Sequence, residues 1–472
     1  MKILYSILFL IVSCFSKVNG SDSGFLNLDT YTETDRRALL KSTVYTDPVL
    51  AGALYQVAQD AKDVFEEQGI EYWISFGTLL GAVRNEGLLP WDDDLDFSFD
   101  KKQEAKLWGL KDLFSRLGYN LLVDQENIVG YKLYRKSPIT LKDGKKVLPF
   151  LDLFMCEDNG EKFILSCERG RQLFKSGPIA RDQVLTKQRY KFGPMELWGA
   201  TNPERYLVES YTSNWNKQAL VYFLHTQKLR QKYIWTLTAE DRIPPEYEGV
   251  VEKRYAILKT QDFWNDFYKN KDSKRTPSTF ATFLMDGGFL RHGQSLVDFG
   301  CGDGRDAFFF ASKGLKVIGV DGSKEAIAAN TEFSRINHLE KVSFLEKDVM
   351  DLNSLNTLRA NENFYARFFM HAISPTAQEN MLTFFESLED GARIFLEFRT
   401  DKDPKLQISE KLSQSEGIAD GHYRRFINFE AFCATLKAKG FQVSYARESQ
   451  GWSVHKGDDP VLGRIIALRV RT

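Results

Sequence analysis

The stretch from Gly77 to Phe99, GTLLGAVRNEGLLPWDDDLDFSF, packs four carboxylates into five positions beside a glycine turn. Far downstream, Ser295–Ser323 reads SLVDFGCGDGRDAFFFASKGLKVIGVDGS: a strand, a glycine-rich loop, a helix and a second strand ending in Asp. Each pattern demands its own scaffold. Clustered acids repel one another unless a cation lies between them. Glycines after a strand let the backbone turn tightly against a ligand at a helix N-terminus. Two α/β domains are therefore expected, and 472 residues suffice for two or three.

A hydrophobic content of 43% and a charged content of 27% are ordinary for globular folds. The formal net charge of −1 gives no general affinity for nucleic acid or anionic membrane, and no nucleic-acid partner is expected. At the N-terminus, Lys2 precedes a largely apolar run from Ile3 to Phe15 and then small residues, the pattern of a secretory signal peptide cleaved after Gly20. The run is shorter than the ~20 residues a membrane span needs, and no later stretch is apolar enough to span. The expected location is the lumen of the endoplasmic reticulum or Golgi, or outside the cell. Cys14, after Ile11-Val12-Ser13, would instead suit a lipid-modified cysteine of a bacterial envelope protein. Cys156, Cys167, Cys301 and Cys433 show no metal-ligand spacing, and pairing of Cys156 with Cys167 stays open.

Apolar residues recur at helical spacing from Pro48 to Gln68, and Gly69 ends that helix. A strand is expected at Tyr72–Phe76, a turn at Gly77-Thr78 and a short helix at Leu79–Val83. Further strands are expected at Trp91–Phe99 and Val147–Phe154. The polar, proline-containing segment Thr238–Gly249 reads as the domain boundary, giving domains at 21–240 and 250–472. Beyond it, strands at Ser295–Phe299, Lys316–Val320, Val342–Glu346, Phe364–Phe369 and Arg393–Phe398 alternate with helical stretches. That order implies a parallel sheet with crossover helices.

Alternate residues of a strand share a face. Asp92, Asp94 and Asp96 would line one face if the strand begins early enough to include Asp92. Asp152, inside the apolar run PFLDLF, is a buried aspartate that needs a partner, and a metal shared with Asp94 and Asp96 supplies one. Mg²⁺ (or Mn²⁺) is the usual cation for nucleotide phosphates. Gly77 and Thr78 would offer backbone N–H groups to a phosphate. Arg84 would pair with phosphate or steady the acids. The plain alternative is a solvated acidic turn.

The segment Gly77–Arg84 followed by Pro90–Asp96 resembles the LicD/fukutin family of nucleotidyltransferase-fold phosphotransferases. Leu151–Phe154 is similar to that family's later hydrophobic-D-hydrophobic-F segment, and Pro203–Trp215 to its Tyr-rich helix. The resemblance implies metal-dependent transfer of a phosphorylated alcohol, such as phosphocholine or ribitol phosphate, from a CDP-linked donor to a glycan acceptor. It makes Asp94 and Asp96 the paired metal ligands, Asp152 the third carboxylate, and Asp92 an assisting ligand or base. Asn85 and Glu86 depart from the family pattern and leave the acceptor open.

In the downstream motif, Gly300, Gly302 and Gly304 follow a strand, and Asp321 ends the next one. An acid there can take both ribose hydroxyls, so spacing alone suits NAD or S-adenosylmethionine (SAM). The run DFGCGDGR resembles motif I of Rossmann-like class I SAM-dependent methyltransferases. The resemblance implies that Asp298 holds the methionine end or orders the loop, that Asp321 binds the ribose and that Asp348 contacts the adenine. DFWNDFYKN resembles the N-terminal helix of small-molecule methyltransferases, implying that Trp264 and Tyr268 cover SAM. Simple packing of that helix on the sheet is the alternative.

For the methyl acceptor, Arg367 and His371 stand at the carboxyl edge of the sheet, and His422, Tyr423, Arg424 and Arg425 form a second polar group. His371 is the candidate general base, while His422 and Arg424 suit an anionic substrate. Methyl transfer also proceeds by alignment alone. Taken together, these features describe a bifunctional glycan-modifying enzyme. Two other readings stay open: a methyltransferase with a non-catalytic substrate-binding domain, and a non-enzymatic glycan-binding protein.

Overall fold

The computed structural model describes residues 25–174, 178–221, 223–226, 229, 231–269, 275–350, 355–455 and 457–470. The expected signal peptide and Cys14 lie outside them. The chain divides into two units between Glu252 and Lys253.

In the first unit, α1 (Pro48–Glu67) starts where Asp47 accepts a hydrogen bond from the Val49 N–H, with proline at the first helical position. Its Leu54, Val57, Ala61 and Val64 are fully buried. β1 (Tyr72–Ile74), α2 (Phe76–Asn85) and β2 (Asp96–Asp100) follow. The remaining strands of the sheet are β3 (Tyr119–Val123), β4 (Gly130–Arg135), β5 (Phe150–Asp158), β6 (Lys162–Leu165), β7 (Ile179–Ala180), β8 (Gln188–Phe192) and β9 (Met195–Gly199). They form one mixed nine-stranded sheet in the order β7-β6-β5-β2-β1-β9-β8, with β4 on β5 and β3 on β4. β2 and β5 run parallel and set Asp96 beside Asp152.

Two local expectations change. Gly77 and Thr78 belong to the first turn of α2 rather than to a separate turn. The acidic strand begins only at Asp96. Extending it back to Asp92 with period-2 alternation would drive Asp93 into the apolar core, a cost no strand hydrogen bond offsets. The segment expected to separate the domains packs on the first unit instead. The Glu248 N–H donates to the Pro48 carbonyl at 2.9 Å, and Asp241 accepts from the Tyr45 hydroxyl and the Trp235 indole.

In the second unit, α3 (Arg254–Lys269) precedes a seven-stranded sheet. Its first five strands are β10 (Ser295–Phe299), β11 (Lys316–Asp321), β12 (Val342–Glu346), β13 (Asn363–Arg367) and β14 (Arg393–Arg399). β15 (Glu410–Lys411), β16 (Glu416–Ala419) and β17 (His422–Arg425) form a separate small sheet. β18 (Phe441–Ser449) and β19 (Leu462–Arg469) complete the large one, ordered β12-β11-β10-β13-β14-β19-β18. The first five are parallel and the last two antiparallel. Helices α4 (Arg305–Ser312), α5 (Lys324–Ile336), α6 (Pro375–Glu386) and α7 (Phe429–Ala438) supply crossovers. Apolar clusters line both faces, as a parallel sheet requires.

Cys156, Cys167, Cys301 and Cys433 are free thiols. Among the described residues no helix is long and apolar enough to cross a membrane.

Candidate active sites

Asp94, Asp96 and Asp152 are buried, and each offers a carboxylate oxygen within 4.8 Å of the others. Asp96 opens β2, Asp152 sits beside it on β5, and Asp94 comes from the preceding loop. Asp92 joins them from the same loop: a Cβ on Gly77 would fall 2.7 Å from Asp92 Oδ2 and 3.3 Å from Asp96 Oδ2. Glycine at 77 therefore lets the start of α2 approach the acids. The Gly77 and Thr78 N–H groups donate to Asp96 Oδ2 at 3.0 and 3.4 Å, and Thr78 Oγ1 accepts from the Asp96 N–H at 2.7 Å. Donors expected to meet a phosphate thus fix a metal-ligand candidate instead. Arg84 is also committed elsewhere: Nη1 donates to the Trp215 carbonyl at 2.9 Å and Nε to Asn85 Oδ1 at 3.1 Å.

The electrostatics ask for a cation. Burial and the neighbouring carboxylates push Asp92 and Asp96 well above the usual carboxylate range. Burial raises Asp94 to about 6 even against the pull of His225. An all-oxygen, all-carboxylate donor set suits Mg²⁺ or Mn²⁺, so the residues present fit the ion.

Three partners escaped the sequence reading. Lys132 Nζ lies 2.7 Å from Asp152 Oδ1, because β4 pairs with β5 in a register that sets the two residues opposite. His225 Nδ1 lies 3.3 Å from Asp94 Oδ2 and 3.4 Å from Asp93 Oδ1. Asp93 holds this segment by accepting from the Thr226 N–H at 2.6 Å and hydroxyl at 2.7 Å. Burial would lower His225, but Asp94 and Asp93 outweigh it and raise the ring to about 9.

In the second unit, Gly300, Gly302 and Gly304 take φ values of 69°, 52° and 74°, the left-handed region that favours glycine. A Cβ on Gly302 would stand 2.3 Å from the Tyr268 hydroxyl, and one on Gly300 would stand 2.5 Å from the Phe369 ring. Asp321 ties the loop down: its two oxygens accept from the Gly302 and Ser323 N–H groups, each at 2.8 Å. Asn330 of α5 donates to the Gly302 carbonyl at 2.7 Å. Tyr268 thus lies over the loop, and Trp264, one turn earlier on α3, stacks on it at 5.8 Å.

Asp298 is buried in β10. Burial and the nearby Asp306 and Asp321 push its carboxyl well above the usual range, so it calls for a cation such as the ammonium of SAM. Asp306, not singled out from sequence, anchors the helix start by accepting from Ser278 and Tyr365. Asp348 is exposed and accepts from the Met350 N–H. The backbone turn that the glycines permit, the acid ending the second strand and the buried Asp298 together fit SAM.

At the carboxyl edge, Arg367 is committed to Glu397 at 2.9 Å and to Ser453 at 3.1 Å. His371 is 2% exposed, and its Nδ1 accepts from the Arg399 N–H at 3.1 Å. Burial, Arg424 and Arg399 hold its pKa well below the usual histidine value. The ring proton then sits on Nε2 and no lone pair remains to take another, so the structure places His371 as a structural residue rather than the expected base. His422 stacks on Phe263 at 4.8 Å and leans on Trp264 at 4.7 Å; burial and Arg424 lower it to about 4. Arg424 reaches Asp420 Oδ2 at 2.9 Å. Trp264, Tyr268 and His422 are thus brought together, while Arg367 and His371 serve the sheet edge.

Residues 69–198 match the LicD/FKTN/FKRP nucleotidyltransferase domain, and residues 296–390 match a methyltransferase domain. An uncharacterized protein of Rickettsia prowazekii is 28% identical over 226 residues, 47% of this chain and 78% of its own. The ribitol 5-phosphate transferase FKRP of Homo sapiens is 39% identical over 62 residues, 13% of this chain and 12% of that enzyme. The lipopolysaccharide cholinephosphotransferase LicD of Haemophilus influenzae is 28% identical over 96 residues, 19% of this chain and 36% of that enzyme. The chain thus spans a minor part of the length of these two named enzymes. The aspartate cluster falls inside the first matched region and the glycine loop inside the second. The chain is a transferase that joins a domain of the LicD/FKTN/FKRP family to a Rossmann-like SAM-dependent methyltransferase domain.

Proposed function

We propose that the protein is a bifunctional glycan-modifying enzyme. Its first domain transfers a phosphorylated alcohol from a CDP-linked donor to a glycan, and its second methylates that glycan or the transferred group. The observation that carries this reading is the convergence of Asp94, Asp96 and Asp152 to within 4.8 Å. The relatives named as ribitol 5-phosphate transferase and cholinephosphotransferase support the class of group transferred.

When bound, a divalent cation held by these three carboxylates neutralises the donor's phosphates. Lys132 counters the burial that raises Asp152 and orients its carboxylate. Asp92, whose pKa burial and neighbouring acids raise, is a carboxylate basic enough to take the proton of the acceptor hydroxyl. In the second domain Tyr268, Asp298, Asp321 and the glycine loop seat SAM and align its methyl group with the acceptor.

The test incubates the purified chain with CDP-choline, CDP-ethanolamine or CDP-ribitol, Mg²⁺, methyl-labelled SAM and candidate glycans, with products read by mass spectrometry. A phosphodiester-linked mass and a methyl label are expected. Neither appearing on any acceptor would remove the reading. The apolar run Ile3–Phe15 supports a place in the secretory lumen. A mature N-terminus at Ser21 is the expected finding; an acylated Cys14 would move the protein to a bacterial envelope.

A further inference from the structure

We propose that the methyl acceptor carries a phosphate and that Arg399 and Arg424 bind it, an inference that rests on the methyltransferase reading of the second domain. Arg399 is the last residue of β14 and is 3% exposed. Two of its guanidinium nitrogens are paired, Nη1 with Asp403 at 2.8 Å and Nη2 with Asp458. Nε is buried and has no hydrogen-bond partner among the described residues. A buried donor left unpaired is costly, so this N–H calls for an acceptor oxygen.

Arg424 of β17 supplies the second cation. It belongs to the same ion-pair cluster as Arg399: Asp420, which accepts from it, is also paired with Lys405, and Lys405 Nζ lies 3.1 Å from Asp458, the partner of Arg399. The Arg424 side chain is 11% exposed. Nη2 is bonded to Asp420 and Nε reaches the Ala419 carbonyl at 3.5 Å, while Nη1 has no partner among the described residues. The buried Arg399 and half-buried Arg424 guanidiniums, each with an unspent N–H, match the several oxygens of a phosphate.

A continuous wall links this pair to the methyl-donor loop. His422 lies two residues from Arg424 on β17, and so on the same face of that strand. It touches Trp264, which stacks on Tyr268, whose hydroxyl lies against Gly302. An acceptor anchored by its phosphate at Arg424 directs its free amine or hydroxyl along this wall. The acceptor lone pair then forms the bond to the methyl carbon. The carbon–sulfur bond breaks with its electrons passing to sulfur, which yields S-adenosylhomocysteine, and the acceptor's proton leaves to water.

The test titrates the full chain, loaded with S-adenosylhomocysteine in EDTA so that the first domain holds no cation, by calorimetry. Ligands are phosphoethanolamine and ribitol 5-phosphate, their unphosphorylated counterparts, and the two CDP esters. At least one phosphorylated compound is expected to bind about tenfold or more tightly than its counterpart. Arg424→Gln should erase that advantage with S-adenosylhomocysteine affinity unchanged. Arg424→Lys, which keeps the charge without the fork, should lose most of it and replaces the glutamine variant if that one fails to fold. The CDP arm separates a free phosphorylated alcohol from a nucleotide-linked one. Equal affinity with and without phosphate, or an advantage that survives both variants, overturns the proposal. Failure of the wild-type chain to bind S-adenosylhomocysteine overturns the underlying reading instead.

Discussion

The aspartate cluster of the first domain and the glycine loop of the second both lie at strand ends, but they are built by opposite means. The first holds excess charge. Asp92, Asp94 and Asp96 all sit above the usual carboxylate range because burial and mutual repulsion disfavour their ionised forms. The second holds missing volume. Gly300 and Gly302 keep clear positions that a Cβ would bring to 2.5 Å and 2.3 Å from aromatic side chains. Each site also has an aromatic residue at positive φ beside it, Phe76 at 43° and Phe368 at 55°. Such strain persists where the surrounding structure over-determines the backbone. The contrast teaches that one domain should answer to ions and the other to steric change.

The largest expected effect comes from Asp94→Ala or Asp96→Ala. Phosphotransfer should fall about 1,000-fold, the scale for losing an electrostatic stabiliser, while methyl transfer continues; EDTA should give the same split in product assays. Methylation surviving with phosphotransfer absent even in the wild type would instead mark the first domain as a binding module. Next is Gly302→Val. Its φ of 52° and the 2.3 Å approach to Tyr268 leave no room for a side chain. A strain of about 1–3 kcal/mol should weaken SAM binding by roughly 10- to 100-fold in calorimetry, with phosphotransfer intact.

A third measurement uses pH. His422 is held near 4 in the fold and returns to about 6.5 on unfolding. The unfolded chain therefore takes up the extra proton first, and stability falls as pH drops from about 6.5 toward 4. The loss between pH 7.5 and 5 is on the order of 2 kcal/mol. Thermal melts of His422→Phe should lack this part of the acid slope. The smallest effect is Asp93→Asn. It weakens the hold on Thr226 and the contact with His225. Phosphotransfer should drop about tenfold, for a loss near 1–2 kcal/mol, with methyl transfer unchanged. A fall in both activities would erase the contrast between the domains.

Legibility in the sequence followed the same divide. The five parallel strands from Ser295 to Arg399 could be read closely, because three of them, β10, β13 and β14, are buried on both faces and so read as largely apolar runs. β18 was missed, since Gln442, Ser444 and Arg447 break any such run. The acids of the first site were plain in the motif, but the strand start was not: only the position of Asp93 in three dimensions shows why β2 waits until Asp96. Lys132 reaches the site through strand pairing and His225 through a loop far along the chain. No local pattern ties either to Asp94 or Asp152. His371 looked like a base because of its place at the sheet edge, and only its hydrogen bond from the Arg399 backbone shows otherwise.

The side-by-side register of Asp96 and Asp152 has a consequence for assembly. Sliding β5 by one residue would turn its side chains over and swing the Asp152 carboxylate toward the side where Leu151 and Leu153, 0% and 1% exposed, now lie. An unpaired carboxylate there is far costlier than a misplaced leucine. The acid proposed to hold the cation would therefore also guard strand alignment. A chain threaded one residue out of step would thus lose stability at the very strand pair that brings the two carboxylates together.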